Sequence, residues 1–377
     1  MTGKDRIKLD AITLKGYKSI HPEGQEIDFG DITILLGANG AGKSNLVSFF
    51  SMLNYMMTGS LQTYIAERGS AGSLLYYGPK VTSRIEASIR FSNESESDVY
   101  EFSLSHAAGD TLIFTNEKLT WHKREEEKPF TISLSPGVRE SGLLEERRKK
   151  EAKTSKVIYR LLRNCQVFQF HDTSQSSKIR NKGYINDNRF LRSDGGNLAA
   201  FLYAIRQKGE RYYRRIVRHI QQIMPQFHDF ELEPDAQNDN YIMLNWYEKG
   251  ADYLFGPHQI SDGSLRFMAL TTLFLQPVET LPSVIILDEP ELGLHPTAIA
   301  ILAGMARQAS RHCQIIMATQ SQRLVDEFEA DNIVVVERND KQACSEFKKL
   351  DESALEAWLE RYSLSELWEK NVLGGQP

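Results

Sequence analysis

The residues with the clearest chemical potential form a glycine-rich segment near the start of the chain. Gly37–Ser44 has the sequence GANGAGKS and fits the spacing G-x-x-x-x-G-K-[ST] of a loop that binds phosphate groups. Glycines let such a loop curl so that successive backbone N–H groups point at phosphate oxygens, and the positive end of the following helix adds to the attraction. We expect Lys43 to reach the β- and γ-phosphates of a nucleotide and the Ser44 hydroxyl to bind Mg²⁺. The alternative is a structural glycine turn.

A pair of carboxylates follows an apolar run much later in the chain. Val284–Leu287 is apolar throughout, as expected of a strand buried on both faces, and Asp288 and Glu289 come directly after it. In a nucleotide-hydrolysing site the first carboxylate holds Mg²⁺, directly or through water, and the second polarises the attacking water as a general base. The alternative is a pair of surface acids, but the phosphate loop in the same chain favours the catalytic interpretation.

A third motif lies shortly before the carboxylate pair. Ile260–Arg266 has the sequence ISDGSLR. A serine and a glycine at the start of a helix can offer a hydroxyl and N–H donors to a phosphate. The same residues also make an ordinary turn and helix N-cap, so the motif gains its meaning from its position.

The elements that must position these motifs are alternating strands and helices. Two strands are predicted before the phosphate loop, the second being Ile32–Leu36, and a helix is predicted from Lys43 to Met57. Residues 58–80 are predicted to be a loop, and 81–135 to be antiparallel strands. From residue 260 onward helices alternate with strands, which implies a parallel sheet.

The predicted organisation is one head with three parts. A lobe carrying the phosphate loop covers 1–165 and ends in a charged helix at 140–163. A mostly helical insertion covers 175–255, with a helical region at 198–224. The lobe with the signature and carboxylate motifs covers 256–377.

Composition limits the class of protein. The chain has 377 residues, 41% hydrophobic and 25% charged, which excludes disorder over most of its length. No apolar run approaches the roughly 18 residues needed to span a membrane, and the opening MTGKDRIKLD lacks the apolar core of a secretory signal. Cys165, Cys313 and Cys344 are far apart, which argues against disulfides and structural zinc and favours the cytoplasm. Because the net charge is −5, any contact with nucleic acid has to be a local patch.

Four segments, in their order along the chain, resemble the motifs of the cassette-type ATPase heads of the RecF, OLD and SMC group. They are GANGAGKSN, ISDGSLR, LDEPELGLHP and ATQSQRLVD. Four further segments resemble those of the compact, stand-alone RecF/OLD-like ATPases. They are LKGYKSI, FHDTS, LRSDGGNLAAFL and LWEKNVLGGQP. The resemblance implies an α/β fold, an ABC-type P-loop NTPase head with mixed antiparallel and parallel sheet lobes and a helical insertion. It also implies ATP and Mg²⁺ as cofactors, hydrolysis of ATP to ADP and phosphate, and a homodimer with ATP at the interface.

The resemblance assigns roles to residues by position. Ser261 and Gly263 fall in the signature motif, which contacts the γ-phosphate bound by the other subunit, and Leu292–His295 fall where the D-loop crosses the dimer interface. Lys18 and Ser19 match a basic-serine pair that touches the nucleotide. The expected nucleotide-binding residues are Lys18, Ser19, Gly37, Asn39, Gly40, Ala41, Gly42, Lys43, Ser44, Asn45, Ser261, Gly263 and Ser264. The expected metal ligands are Ser44 and Asp288, and the expected catalytic residues are Glu289, Lys43 and Gln320.

The sequence departs from the family pattern at the switch residue and the Q-loop. Transport cassettes carry a switch histidine after the strand that here ends in IIMAT, whereas this chain has Gln320, which can donate a hydrogen bond but carries no charge. We therefore expect slow hydrolysis. For the Q-loop, Gln166, Gln169 and His171 all lie near the strand VFQF. The segment 169–172 is favoured, with no single residue assigned.

Three functions are considered for such a head. A full OLD nuclease carries a TOPRIM domain after its ATPase, and we expect none here because only about 40 residues follow the last sheet strand. The favoured hypothesis is therefore an ATP-gated switch that controls a separate effector, a nuclease or toxin, in anti-phage defence. The alternative is a RecF-like clamp that binds double-stranded DNA through the basic, tyrosine-containing helix at 211–218, although that pattern also fits a solvated helix. A third hypothesis is a nucleotide-sensing scaffold with negligible turnover. No contact with a membrane is expected.

Overall fold

The structure is a computed structural model that describes residues 6–375, and a mostly parallel sheet lies at its centre. Numbered in chain order, the strands of this sheet are, from edge to edge, β18 (Cys344–Lys349), β17 (Ile333–Asn339), β3 (Ile32–Leu36), β16 (Gln314–Thr319), β15 (Val284–Asp288) and β8 (Cys165–Phe168). The pair β17–β18 is antiparallel and the other pairs are parallel. The opening MTGKD and the final Gln-Pro lie outside the described residues. The first belongs to the segment that was judged to lack a secretory signal, and the second ends the segment LWEKNVLGGQP.

The central sheet separates two hydrophobic cores because its strands are apolar on both faces. Along β15, Ile285 and Leu287 enter one core, whereas Val284 and Ile286 enter the other. The strands β3 and β16 alternate in the same way. A strand buried on both faces needs a continuous apolar run, which is the pattern that the sequence showed before each motif. The predicted parallel sheet is confirmed.

The first core, which includes Val284 and Ile286, lies between the central sheet and a second, antiparallel sheet. The strands of this second sheet are, in order, β2 (Gln25–Asp28), β1 (Lys8–Lys15), β4 (Arg84–Ser92), β5 (Glu96–Ala107), β6 (Thr111–Lys123) and β7 (Phe130–Ser133). The helices on this side are α1 (Lys43–Met56), α2 (Leu61–Glu67), α3 (Leu143–Glu146) and α4 (Lys153–Arg163). The antiparallel strands predicted within 81–135 are confirmed as β4 to β7.

The second core lies on the opposite face and is covered mainly by helices. They are α5 (Leu198–Lys208), α6 (Glu210–Ile223), α7 (Asp262–Leu275), α8 (Pro296–Ala309), α9 (Gln322–Val325), α10 (Glu352–Leu359) and α11 (Leu364–Glu369). Short strands accompany α5 and α6: β9 (Gly183–Tyr184), β10 (Phe227–Glu231), β11 (Pro234–Asp235), β12 (Asn238–Ile242), β13 (Asn245–Glu248) and β14 (Leu254–Phe255). In the part of the chain that the structure describes, no helix has both the length and the apolar character needed to cross a membrane.

Several predicted elements differ from the structure in ways that have local causes. The helix predicted at 140–163 is divided into α3 and α4, because the charged residues between them offer no apolar face that packing could bury. The helical region 198–224 is divided at Gly209, which lies outside helical geometry with φ −146° and ψ 54°. The segment 58–80 contains α2 rather than loop alone, and 175–255 contains the short strands β9 to β14 besides its helices.

Asp98 is buried in the antiparallel sheet without a compensating contact. It lies in β5 on the same face as Tyr100 and Phe102, and only 1% of its surface is exposed. Neither of its carboxylate oxygens has a hydrogen-bond partner among the described residues. Burial, with a smaller contribution from the charge of Glu96, raises the pKa of Asp98 to about 7.

We predict that Asp98→Asn stabilises the fold at high pH and not at low pH. Between about pH 4 and 7 the folded chain retains a proton that the unfolded chain releases, so wild-type stability falls as the pH rises through this window. Asparagine does not titrate, so the variant should gain free energy of unfolding relative to wild type as the pH rises. The gain should grow from near zero to at most about 4 kcal/mol, and screening by water would reduce it. Urea unfolding on both sides of the window measures it. Asp340→Asn, at an exposed position, is the control, and an equal gain in both variants would contradict the prediction.

Candidate nucleotide-binding site

The carboxyl ends of three neighbouring strands meet at one edge of the central sheet. The strand β16 lies between β3 and β15, and Thr319 at its end pairs with Leu36, while Ala318 pairs with Asp288. The loops that follow these strands therefore start side by side. This arrangement brings together the phosphate loop, the carboxylate pair and Gln320, which are far apart in sequence.

The phosphate loop requires glycine where the backbone or its neighbours leave no room for a side chain. Gly42 caps α1 with a left-handed φ of 115°, and a Cβ on it would lie 2.0 Å from Ser345 Oγ. A Cβ on Gly37 would lie 2.2 Å from the backbone oxygen of Val336. Only glycine meets both conditions, so these residues fix the path of the loop from β3 into the helix.

Lys43 is buried at the start of α1 and is bonded to its own loop. It is 5% exposed, and its Nζ donates to the backbone oxygens of Gly37 at 2.6 Å and Ala38 at 2.9 Å. Burial lowers the pKa of Lys43, while the nearby carboxylates of Glu289 and Asp288 act in the opposite direction. The lysine, the phosphate loop and the carboxylate pair therefore share one electrostatic environment.

A serine from β18 forms hydrogen bonds that hold the phosphate loop in place. Ser345 Oγ donates to the backbone oxygen of Ala41 at 2.5 Å and lies 2.7 Å from Ser19 Oγ. Asn45 Nδ2 donates to the same Ser19 hydroxyl at 2.7 Å. Ser19 and Asn45, both expected at the nucleotide, are thus tied to the loop. Ser345 was missed from the sequence, because nothing in CSEFKK marks a contact with a segment some 300 residues away.

Lys18 lies beside α1 in a strained backbone conformation. Its φ is 48°, which is uncommon for a residue with a side chain, and its Nζ donates to Ser48 Oγ at 2.8 Å. Burial, and to a lesser extent the charge of Arg68, lowers the pKa of Lys18 to about 8. The ammonium group of Lys18 therefore contacts the helix that starts at the phosphate loop, at Ser48, one helical turn after Ser44.

The carboxylates occupy the end of β15. Asp288 Oδ1 is buried and has no hydrogen-bond partner among the described residues, as expected of an oxygen that awaits a ligand. Glu289 has a left-handed φ of 43°, and its Oε1 lies 3.5 Å from Gln320 Nε2. A residue with such a φ stores about 1–3 kcal/mol of strain, which directs its side chain away from the path that the strand would otherwise follow.

Glu291 is a further acid that the sequence analysis did not single out. It is 8% exposed, and Thr319 Oγ1 donates to its Oε1 at 2.5 Å. Burial raises the pKa of Glu291, and the charges of Glu289 and Asp288 add to the increase. The hydrogen bond joins the loop after β15 to the end of β16, so Glu291 positions the two loops relative to each other.

One residue of the segment favoured for the Q-loop contacts the end of β15. The ring Nε2 of His171 lies 2.7 Å from the backbone oxygen of Asp288. By contrast, Gln166 Nε2 donates back to the backbone oxygen of Arg163 at 2.6 Å, at the opposite end of β8. Within the favoured segment 169–172, His171 is therefore the residue in contact with the carboxylate loop.

The signature motif forms the exposed start of α7. The Ser261 hydroxyl caps the helix by accepting from the backbone N–H of Ser264 at 3.2 Å. A Cβ on Gly263 would lie 2.4 Å from the backbone oxygen of Gly293, so the helix and the D-loop touch backbone to backbone. Ser261 and Leu292 are both exposed, the latter by 49%. In the described part of the chain, the motif contacts the D-loop through Gly263 and its own buried Arg266 and also meets the buried Arg180, and none of its hydrogen bonds runs to the phosphate loop.

Those two arginines, Arg180 and Arg266, were missed from the sequence. Arg180 is 2% exposed and donates to Asp262 Oδ1 at 2.7 Å and to the backbone oxygens of Thr173 and Ile260 at 2.7 and 3.0 Å. Arg266 donates to the backbone oxygens of Leu292 and Phe170. A buried guanidinium is retained only where acceptors surround it, so each arginine fixes the relative position of segments distant in sequence.

The residues at the edge of the sheet fit a magnesium-bound nucleotide. The loop offers N–H groups at a helix N-terminus, Ser44 is exposed, and the unpartnered oxygen of Asp288 suits a hard divalent cation. Bound Mg²⁺ would neutralise charge on the phosphates. Lys43 would exchange its carbonyl partners for phosphate oxygens, and Glu289, oriented by Gln320, would accept a proton from water.

The fold matches solved structures of SMC heads. An Smc head bound to the C-winged helix domain of ScpA superimposes with a TM-score of 0.62 at 16% identity, over 93% of this chain and 99% of that chain. An Smc head with an extended coiled coil, bound to the C-terminal domain of ScpA from Pyrococcus furiosus, gives 0.57 at 16% identity, over 94% and 99%. A head with a coiled coil and joint from Pyrococcus yayanosii gives 0.54 at 13% identity, over 94% and 99%.

This fold and this edge of the sheet define an ABC-type P-loop NTPase head, with the fold that SMC heads also have. Residues 32–326 match the family described as "AAA domain, putative AbiEii toxin, Type IV TA system", and the chain belongs to this family. Among curated proteins, none matches the sequence. The expected fold class is therefore confirmed, and the expected family is confirmed at the level of an AAA-type ATPase head, whereas the narrower RecF/OLD-like assignment stays a prediction.

We predict that Glu289→Gln separates ATP binding from ATP hydrolysis. The amide keeps the size of the side chain but cannot accept the proton of the attacking water, so turnover should fall roughly 10²–10⁴-fold while the affinity for ATP stays within a fewfold of wild type. Phosphate release and equilibrium binding of a labelled ATP measure the two quantities. Glu279→Gln, in a short turn far from the phosphate loop, is the control and should keep wild-type turnover. Full activity of Glu289→Gln would exclude Glu289 as the base.

Proposed function

We propose that the chain is an ATP-gated dimeric switch that controls a separate effector protein. The supporting observation is the division of the site within one copy. The phosphate loop and the carboxylates meet at the edge of the central sheet, whereas Ser261 and Gly263 lie on the exposed start of α7 against the D-loop. If the signature residues are to contact ATP, the ATP has to be bound by another copy.

ATP would then drive dimerisation through contacts that only the dimer makes. A nucleotide shifts an equilibrium between two states by as much as its affinity differs between them. The signature serine and the N–H groups of α7 would supply that difference, since they add donors to the phosphates only in the closed dimer. Hydrolysis and phosphate loss would remove the link and open it.

Slow hydrolysis would suit a switch that must stay closed long enough to act. The amide of Gln320 lies 3.5 Å from Glu289, so it can orient the general base, but it brings no positive charge to the transition state. Turnover then depends on Glu289 and Lys43. The scaffold hypothesis is the limiting case in which this turnover is negligible, and phosphate release above that of Glu289→Gln distinguishes the two.

The proposal of a separate effector in anti-phage defence draws on what similar proteins are named for. The family description includes a putative toxin of a type IV toxin–antitoxin system. Two of the similar Smc heads were solved in complexes with domains of ScpA, so heads of this fold do bind other proteins. An effector nuclease or toxin that reads the closed dimer is the form of partnership we propose.

The DNA-clamp alternative stays a prediction, and the structure indicates which residues of the 211–218 helix it would use. Arg214 forms an ion pair with Glu210, and Tyr213 is buried. Arg215 donates to the backbone oxygen of Leu275 at 3.0 Å. Arg211 and Arg218 remain exposed, but Arg214 is paired and Arg215 is half-buried, which makes the switch the better-supported proposal.

We predict that Gly263→Ala prevents ATP-dependent dimerisation without weakening ATP binding by the single copy. The added Cβ would lie 2.4 Å from the backbone oxygen of Gly293, so the start of α7 has to move away from the D-loop. Light scattering after gel filtration, in the Glu289→Gln background with ATP and Mg²⁺, should give dimer for the parent and monomer for the variant. Gly304→Ala, in α8 with no atom within 4 Å of the added Cβ, is the matched control.

Two results would overturn this proposal. The first is a Gly263→Ala variant that dimerises with ATP as well as Gly304→Ala does. The second concerns the effector: the ATP-trapped Glu289→Gln dimer, used as bait in an extract of its native host, should retain a specific protein that Gly263→Ala does not. If both baits retain the same proteins, the dimer is not what the effector recognises.

A further inference from the structure

A basic pocket lies at the edge of the central sheet opposite the nucleotide site. It has a volume of about 380 Å³ and is enclosed by α6, by the segment between α7 and β15, and by the end of α8. Gln276 and Leu281 precede β15, and His312 precedes β16, so the pocket is at the amino ends of these strands. A strand of five or six residues separates it from the phosphate loop, a distance of about 15–20 Å.

The charges in this basic pocket are all positive. Arg211, Arg215 and Arg218 line it from one face of α6, where residues spaced by three or four positions lie side by side. His312, Gln276 and Gln308 complete the polar lining, and no Asp or Glu is among the lining residues. In the described part of the chain, the guanidinium groups of Arg211 and Arg218 form no ion pair or hydrogen bond with the protein. For a chain with a net charge of −5, this is an uncompensated cluster.

The arginines are held close together at a cost that an anion would remove. The guanidinium carbons of Arg211 and Arg215 lie 5.3 and 5.5 Å from the ring centre of Tyr212, so one ring holds both side chains. Burial lowers the pKa of Arg215, and the charge of Arg211 lowers it further. Arg215 Nε is buried and has no partner among the described residues. Like charges held together without a counterion favour binding of an anion.

One wall of the pocket is apolar. Phe274, Val278 and Leu281 line the pocket beside Tyr212, and Val278 is 39% exposed. Apolar walls with a few convergent polar groups, at a volume of a few hundred cubic ångströms, are typical of small-molecule sites. The lining therefore suits a ligand that has a charged end and a flat or apolar body.

We propose that this pocket is a second anion site, which binds a small phosphate ester with an aromatic or apolar body, such as a nucleoside monophosphate. Guanidinium groups pair with phosphate oxygens in a bidentate fashion, and three of them more than offset the roughly two negative charges of a terminal phosphate. The body of the ligand would lie against Tyr212 and the apolar wall. The proposal does not depend on the dimeric switch, because the pocket is complete within one copy.

The enclosed form of the pocket favours a small ligand over a nucleic-acid backbone. A duplex presents a convex row of phosphates and is bound by cations spread along an open surface. Here the exposed Arg211 and Arg218 and the half-buried Arg215 line one cavity, and the neighbouring Arg214 is neutralised by Glu210. Binding of duplex DNA is therefore the outcome against which the proposal is tested.

The experiment measures binding of labelled AMP by equilibrium dialysis in the Lys43→Ala background, so that the phosphate loop does not capture the probe. We expect saturable binding with a dissociation constant below about 1 mM, displaced by inorganic phosphate. Arg218→Gln should weaken it roughly tenfold or more, since a charge-assisted hydrogen bond is lost. Arg218 makes no contact that the fold requires. Arg214→Gln, the same change one turn away and outside the pocket, is the matched control and should bind AMP like the parent.

The contrary results are equally definite. If AMP shows no saturable binding, or if Arg218→Gln and Arg214→Gln weaken it equally, the pocket is not an anion site for small phosphate esters. If AMP does not bind but a fluorescent duplex does, with Arg218→Gln weakening that binding and reducing its salt dependence, the arginines belong to a nucleic-acid surface and the proposal is wrong.

Discussion

The position of the nucleotide site depends on one constraint, the burial of the central sheet on both faces. Because β3, β16 and β15 present apolar side chains on both faces, they lie between two cores, and as parallel neighbours they end at the same edge. That edge is where the backbone must turn away from the sheet. The phosphate loop, the carboxylates and Gln320 are at these turns, so the packing of apolar side chains determines the distances among charged ones.

The sequence predicted what is local and repeated in its chemistry. The phosphate loop and the carboxylate pair each consist of an apolar strand followed at once by the functional residues, so both could be placed from a short stretch of letters. Ser345, Arg180 and Arg266 could not be predicted in this way. Their role comes from backbone atoms that the folded chain brings near them, and a serine or an arginine alone carries no signal of which carbonyl it will meet.

The elements that were wrongly predicted follow the same division. A single helix at 140–163 was expected from composition, yet the residues between α3 and α4 have no apolar face for another element to cover. Helical propensity alone does not sustain a helix in water, because most of its stability in a protein comes from burial of one face. The same reasoning explains why α1, with buried residues along its length, runs as predicted.

The nucleotide site of a single copy contains a strained backbone, an unpartnered polar atom and a lysine that is bonded to its own loop. Glu289 has a left-handed φ, Asp288 keeps a buried oxygen without a partner, and Lys43 is bonded to carbonyl groups of its own loop. The unpartnered Asp288 oxygen costs free energy in the isolated chain, and a bound cation would remove this cost without any rearrangement of the fold. The basic pocket at the opposite edge shows the same pattern with the charge reversed, since guanidinium groups are packed together with no acid to balance them. In both places the structure retains unfavourable polar arrangements that a charged ligand would stabilise, and the rigid strands between them give the two sites a common framework.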